Sequence, residues 1–356
     1  GYIRAGWNMV CELLKTILQT TVLLLTGNFI LYLVVQQVVQ LLPNIMVSHR
    51  ADNEFPYLKE CHELPEKEER NGILKNIGAM SMHKLATVIV NNTDSLLMSS
   101  FIGLTAVGIY SNYRMVIINV QNIIVKLLSA FTGSVGNLSA SEEPAKVYRI
   151  YREMDFMFFV LNAYFAAGMF ILINPFIAIF FGEQYCFSTV TVALIITSFF
   201  ITGLRRVNLI FREGMGLFWN DRYKAVAESI INLVVSLLLV KPFGIAGIVG
   251  GTIISTVTTC AWIEPYVLMK HGIKEDWQAR LRRYFAEYAQ HCALTAALSA
   301  AGWYAASRFP IDHIGKFLAA GVLYTIVFAA VILLCYRKTE EYSSRKARCF
   351  ALVRRK

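Results

Sequence analysis

Charge is scarce in this sequence. Asp, Glu, Lys and Arg make up 16% of its 356 residues, where an ordinary soluble domain carries about a quarter. That deficit points away from a water-facing globule. The seven cysteines, at 11, 61, 186, 260, 292, 335 and 349, include no CxxC pair and no metal-ligand spacing. A zinc site or a disulfide framework is therefore not expected. The opening "GYIRAGW" has no initiator Met and lacks the charged, apolar and small-residue succession of a signal peptide. The abrupt start sets the expectation that further residues precede it. A phosphate loop is missing too: "GIAGIVGG" is not GxGxxG and no strand–helix unit surrounds it, so its small residues read as a site of close helix packing.

What the chain has instead is oil. Hydrophobic residues make up 56% and the mean hydropathy is +0.50. They fall into about ten runs, each about 20 residues long, enough to cross a hydrocarbon core about 30 Å thick as a helix. The runs lie near 9–26, 28–48, 80–102, 105–134, 155–181, 187–209, 223–241, 244–269, 286–306 and 314–335. The fold class expected is an all-α membrane protein.

Basic residues alternate between connections. Arg50, Lys59, Lys67, Arg70, Lys75 and Lys84 share one. Lys146, Arg149 and Arg152 occupy the next but one, followed in the same rhythm by Arg212, Arg222 and Lys224, then by Lys270 through Arg283 and the tail. The intervening connections hold only Lys241, Arg308 and Lys316. The positive-inside rule then places both ends of the chain and the basic loops in the cytoplasm. The same rule accounts for the net charge of +10 without nucleic acid. The expected organisation is two helices (1–48), a cytoplasmic linker (49–79), a six-helix bundle (80–269), an interfacial basic segment (270–285), a hairpin (286–336) and a basic tail (337–356).

Polar groups interrupt the oil. An ionised side chain at the bilayer centre costs roughly 2.5–3.5 kcal/mol on insertion scales, so such groups face a cavity or a partner. The third run carries Asn91, Asn92 and Asp94. In the fourth, Asn112, Asn119, Asn122 and Lys126 share one helical sector, with Arg114 and Gln121 at its edge. Arg205, Arg206, Arg212 and Glu213 lie at the cytoplasmic end of the sixth, Glu228 and Asn232 lie in the seventh, and Glu264 precedes Pro265 in the eighth. Two readings stay open for several of these. Arg205 and Arg206 either stop a span and snorkel or line a wet interior. Glu228 and Glu264 either cap or pair locally, and Asp94 either neutralises Arg114 or Lys126 or faces water. The expectation taken forward is a wet, net-cationic cavity, suited to an anion that Arg would hold by paired bonds and Lys as a point charge.

Certain stretches carry a resemblance. "NNTDSLLMSSFIGLTAVGIYSNYRMVI", "FTGSVGNLSASEE", "FREGMGLFWNDRYKAVAESIINLVVSLLLVKPFGIAGIVGGTIIS", "WIEPYVLMKHG" and the early "NFILYLVVQQVVQLLPNIMVSHRADNEFPYL" together resemble the bacterial polysaccharide (O-antigen or capsule repeat-unit) flippases. These belong to the multidrug/oligosaccharidyl-lipid/polysaccharide exporter superfamily. The resemblance implies two helical bundles facing a central cavity, and the first four spans of that architecture have no counterpart in this chain. It implies flipping of undecaprenyl-pyrophosphate-linked oligosaccharide across the cytoplasmic membrane by alternating access. It implies a transporter and not an enzyme, with no catalytic residues, no metal and no cofactor beyond coupling to H+ or Na+. Polysaccharide polymerase or glycosyltransferase machinery would be its partners. By membrane depth and helix facing, Arg114, Lys126, Arg205, Arg206 and Arg212 are the candidates for the cationic lining. Asn91, Asn92, Asn119, Gln121 and Asn122 are candidates for its polar wall, and Asp94, Glu213 and Glu228 for coupling or gating. The alternatives are a multidrug-type, cation-coupled exporter of the same superfamily and an inactive membrane remnant or scaffold.

Overall fold

The first two apolar runs form α1 (Tyr2–Thr26) and α2 (Phe29–Glu54). The computed structural model describes residues 2–54 and 66–337, and the chain divides into two compact units, residues 1–72 and 73–356. In the first, Gly27 turns the chain at a φ of 60°. Asn28 Oδ1 then accepts from the backbone N–H groups of Ile30 (2.9 Å) and Leu31 (3.3 Å), which opens α2. Leu24 is 80% exposed and Ile30 73%, as suits side chains whose solvent is lipid.

The second unit begins within α3 (Lys67–Phe101). It continues through α4 (Leu104–Ser141), α5 (Pro144–Phe180), α6 (Thr189–Leu204), α7 (Arg206–Gly214) and α8 (Lys224–Ser255). A π-helical segment, Thr256–Cys260, leads to α9 (Ala261–Val267), which another, Leu268–Ile273, prolongs; α10 (Trp277–Arg308) and α11 (Ile314–Tyr336) follow. No strand occurs among the described residues. Among the described residues, seven stretches are long and apolar enough to span a bilayer. The protein is all-α and multi-pass.

Seven is fewer than the runs counted along the sequence, for two physical reasons. First, α3 and α10 are too polar or too Ala-rich to qualify on composition. Second, the runs 223–241 and 244–269 belong to one stretch, Lys224–Ile273, that reverses on itself. Gly244, two residues after Pro242, adopts φ 57° and ψ −131°, a conformation closed to most L-residues. The two limbs then lie side by side: Asn232 Nδ2 donates to Thr252 Oγ1 (3.0 Å), and Ser236 Oγ to the Ile248 carbonyl (3.2 Å). A Cβ on Gly247 would run into the Leu239 carbonyl, and one on Gly251 into Ser236. The glycine-rich stretch is thus where the limbs touch.

α5 is the post on which the unit is built. Its Tyr151, Phe159 and Ile177 are buried. Along one side α10 runs parallel to it, through Arg152–Glu287 (2.6 Å), the stacked Phe159–His291 rings and the Ile171–Gly302 approach. On another side α11 runs antiparallel, through Phe156–Tyr336, Tyr164–Tyr324 and Phe176–Phe317. The hairpin expected as a separate element therefore shares the core of this unit. Nor is 270–285 a separate segment, because α10 runs unbroken from Trp277 through 285 to Arg308. The expected linker is helical at both described ends, and its centre, 55–65, lies outside the described residues, as do 338–356 of the expected tail.

Candidate functional site

The site starts from a break between α6 and α7. Asn162, buried on α5, lies where Gly203 has no side chain, and its Nδ2 donates to the Phe200 carbonyl at 2.7 Å. That carbonyl would otherwise serve the helix four residues on. The helix ends at Leu204, Arg205 caps it, and α7 opens at Arg206. Two neighbouring arginines thereby serve different surroundings.

Arg206 lines a cavity of about 360 Å³ bounded by α3, α4, α6 and the second limb of α8. Asp94 and Arg114 complete its charged groups. Tyr110, Gln121 and Thr252 contribute polar atoms, as do Ser198 and Thr202 on α6. Arg114 Nη1 donates to Ser95 Oγ at 3.3 Å. Thr252 Oγ1 donates to Asp94 Oδ2 at 3.4 Å, while Asp94 Oδ1 is buried with no hydrogen-bond partner.

Arg205 goes elsewhere, into a buried ladder of ion pairs. Its Nε and Nη2 clasp Glu264 at 3.0 and 2.6 Å, and its Nη1 reaches Glu228 at 3.4 Å. Lys224 Nζ bridges Glu264 (2.6 Å) and Asp221 (3.2 Å), and Arg212 Nη1 donates to Asp221 at 2.6 Å. Thr256 Oγ1 adds a hydrogen bond to Glu228 at 3.3 Å. The ladder ties the α6–α7 break to both ends of the α8–α9 region. Fork-to-fork pairing of Arg205 with Glu264 is the strongest geometry of this kind.

The cavity thus gathers Asp94, Arg114, Gln121 and Arg206 of the residues singled out in the sequence. Arg205 and Arg212 are corrected from lining to structure, since both are buried and paired. Glu228 belongs to the same ladder, so a gating role is not its first duty. Glu213 is exposed, 4.0 Å from Arg212. The polar sector of α4 is a second correction. Tyr113, Ile117, Ile124 and Leu128 are its buried stripe, and Asn119, Asn122 and Lys126 are exposed outside the cavity lining. Only the edge positions, Arg114 and Gln121, reach inward. Asn92 is likewise exposed, with Nδ2 bonded to its own helix at the Val88 carbonyl; the side chain of Asn91 lies outside the described ones.

Sequence reasoning missed Asp221 and Lys224 as ladder members and Ser198, Thr202 and Thr252 as lining. One signal was present: Ser198, Thr202 and Arg206 recur every four residues, and so form one helical face. No family model matches the chain, and neither any curated protein nor any solved structure does.

Proposed function

We propose that the protein is a transporter that moves a lipid-linked, pyrophosphate-bearing oligosaccharide across the bacterial cytoplasmic membrane by alternating access, with both ends of this chain on the cytoplasmic side. One observation carries the reading. The cavity between α3, α4, α6 and α8 sets two guanidinium groups, Arg114 and Arg206, against a single carboxylate, Asp94. Phosphate oxygens suit guanidinium donors, and hydroxyl and amide groups such as Ser198, Thr202 and Gln121 suit sugar hydroxyls. A cavity of about 360 Å³ is in the range of small-ligand sites. It would enclose a headgroup and leave a longer glycan outside.

The test is binding by the full chain in lipid nanodiscs of a short polyprenyl pyrophosphate and of the matching neutral polyprenol. The pyrophosphate is expected to stabilise the protein against heat and the alcohol to do so far less. Arg114→Gln and Arg206→Gln should each remove most of that difference. Equal effects of the two lipids, or an undiminished response in both variants, would overturn the reading. A second reading, export of a cationic drug-like molecule, draws on the unpartnered Asp94 Oδ1. It requires that a lipophilic cation stabilise the protein where the pyrophosphate does not.

A further inference from the structure

We propose that the crossing of α5 and α10 at their cytoplasmic ends is a binding site for a phosphate group, built on Tyr148, Arg149, Arg152, Arg280 and Arg283. The basic stretch expected along the inner surface forms instead the opening turns of α10, and packing carries its arginines onto α5. α5 presents Tyr148, Arg149 and Arg152 in its second and third turns, and α10 presents Arg280 and Arg283 in its first and second. The two sets meet at one carboxylate. Glu287 Oε1 accepts from Arg152 Nη2 at 2.6 Å and from Arg283 Nε at 2.9 Å. One negative charge thus serves two guanidinium groups.

Arg280 is the third. Its guanidinium carbon lies 4.4 Å from the centre of the Tyr148 ring, and its Nη2 donates to the exposed Glu275 at 2.7 Å. Its Nη1 is buried without an acceptor. Tyr148 lies within electrostatic reach of Arg152, Arg280 and Arg283 together. The Tyr148 hydroxyl makes no hydrogen bond among the described residues and is not sealed from solvent. Arg149, the next residue, is exposed and makes no ion pair among them. Asp155, a turn deeper on α5, is a further carboxylate near Arg152. Donors are therefore in surplus on the outer side of the crossing.

A tetrahedral phosphate offers several acceptor oxygens at once, and guanidinium forks match its geometry. Stacking on Tyr148 holds the Arg280 plane still, so less freedom is lost when an anion is clasped. Both helices leave the membrane at this end, beside Trp277, Tyr284 and Tyr288, rings of the kind that favour the level of lipid headgroups. Anionic lipid in the cytoplasmic leaflet draws basic segments to that level. Phosphate there comes from a lipid headgroup or from solution, and the same donors hold either. Once bound, it reinforces the Glu287 bridge between the two helices. The cavity of Arg114 and Arg206 takes no lining residue from α5 or α10, so the site does not rest on the reading of that cavity.

The test follows thermal melting of the full chain in a neutral detergent. A short-chain phosphatidylglycerol is expected to raise Tm in a saturable way. The phosphatidylcholine with the same chains should do so far less, because its choline cation faces the same arginines. Sodium phosphate at equal ionic strength is the second arm; a shift equal to the lipid's at the same phosphate concentration would assign the source to solution. No saturable shift from either phosphate overturns the site. Arg280→Gln should raise the half-saturating concentration at least about tenfold. Arg282→Gln removes the same charge from the opposite, exposed side of α10 and should leave it within about twofold. Equal losses in the two variants would reduce the site to general surface charge and overturn it. Where Arg280→Gln does not fold, Tyr148→Phe keeps the ring under Arg280 and removes only the hydroxyl. It should raise the half-saturating concentration about threefold, and an unchanged response overturns the site. Arg206→Gln should keep the phosphatidylglycerol response and lose most of the pyrophosphate response; loss of both would put this lipid in the cavity and overturn the site. A phosphatidylglycerol response with no pyrophosphate response in the parent would overturn the cavity reading alone.

Discussion

Two neighbouring regions use the same residue types to opposite ends. In the ladder, Arg205, Lys224 and Arg212 meet Glu264, Asp221 and Glu228, with three cations and three carboxylates in contact. In the cavity, Arg114 and Arg206 stand with Asp94 as the one carboxylate among the described lining residues, and Asp94 Oδ1 has no donor. Arg205 and Arg206 are adjacent in the chain, and the helix break at Leu204 assigns one to each region. A network whose charges balance holds helices in one arrangement, and one with cations in excess has capacity left for an anionic ligand. Charge inside a membrane protein is therefore informative only once its partners are known.

The sharpest way to break this contrast is to remove one charge from each region. Glu264→Gln leaves Arg205 and Lys224 buried without their shared carboxylate. Breaking such a pair costs about 3–5 kcal/mol, which should appear as a large fall in Tm or as loss of folded protein from the membrane. Arg206→Gln removes a half-buried charge that makes no ion pair among the described residues. It should cost under about 1 kcal/mol of stability while removing most of the pyrophosphate response. Equal destabilisation by the two variants would dissolve the distinction between ladder and cavity.

How much of this was legible in the sequence follows from what each feature depends on. The spans and the α8 turn depend on local composition. Runs of apolar residues and the "KPFG" break can be read directly, and the reversal at Gly244 falls on the first residue of the second of the two runs expected there. That Asp94, Arg114 and Arg206 meet depends on which helix faces which, and hydropathy says little about that. The polar sector of α4 misled for this reason. Its Asn119, Asn122 and Lys126 form a consistent stripe, yet the buried side of α4 runs through Tyr113, Ile117, Ile124 and Leu128. Only Arg114 and Gln121, at the margin of the stripe, turn inward. Glu264 illustrates the converse. One carboxylate before a proline looks like a local cap, and its partners Arg205 and Lys224 are 59 and 40 residues away.

The hairpin of α8 allows a milder perturbation that bears on both regions, since its first limb carries Lys224 and Glu228 and both limbs frame Thr252. At Gly251 a Cβ would press on the Ser236 backbone and hydroxyl. Gly251→Ala should force the limbs apart at a cost of about 1–3 kcal/mol. Because Thr252, which lines the cavity, is the next residue, the substrate response should weaken in the surviving protein, though the ladder keeps its partners. An unchanged response with lowered Tm would mean that the limb spacing matters to the fold alone.

The smallest effect expected lies at the far end of the molecule, in the short connection between α5 and α6. Tyr113 OH donates to Asn174 Oδ1 at 2.5 Å and accepts the Phe187 N–H at 2.8 Å, while Asn174 Nδ2 donates to the Phe187 carbonyl at 2.9 Å. Cys186 sits beside this knot. Burial, together with the nearby charge of Glu183, pushes its thiol above the ordinary range, against a lowering contribution from Tyr113. The thiolate is the reactive form, so at neutral pH a membrane-impermeant maleimide should label Cys186 more slowly than a free thiol. The rate should climb as pH rises through and beyond the usual thiol range, because the raised pKa moves the whole titration upward. Tyr113→Phe removes the hydroxyl that both anchors Phe187 and lowers the thiol. Losing that lowering contribution should move the rate profile to still higher pH and slow labelling at neutral pH, with only a small change in Tm. If Cys186 resisted that reagent in intact cells and reacted only once the membrane was opened, the orientation proposed for every span would be inverted. Arg205 and Glu264 would then close the outer end of the protein and not the inner one.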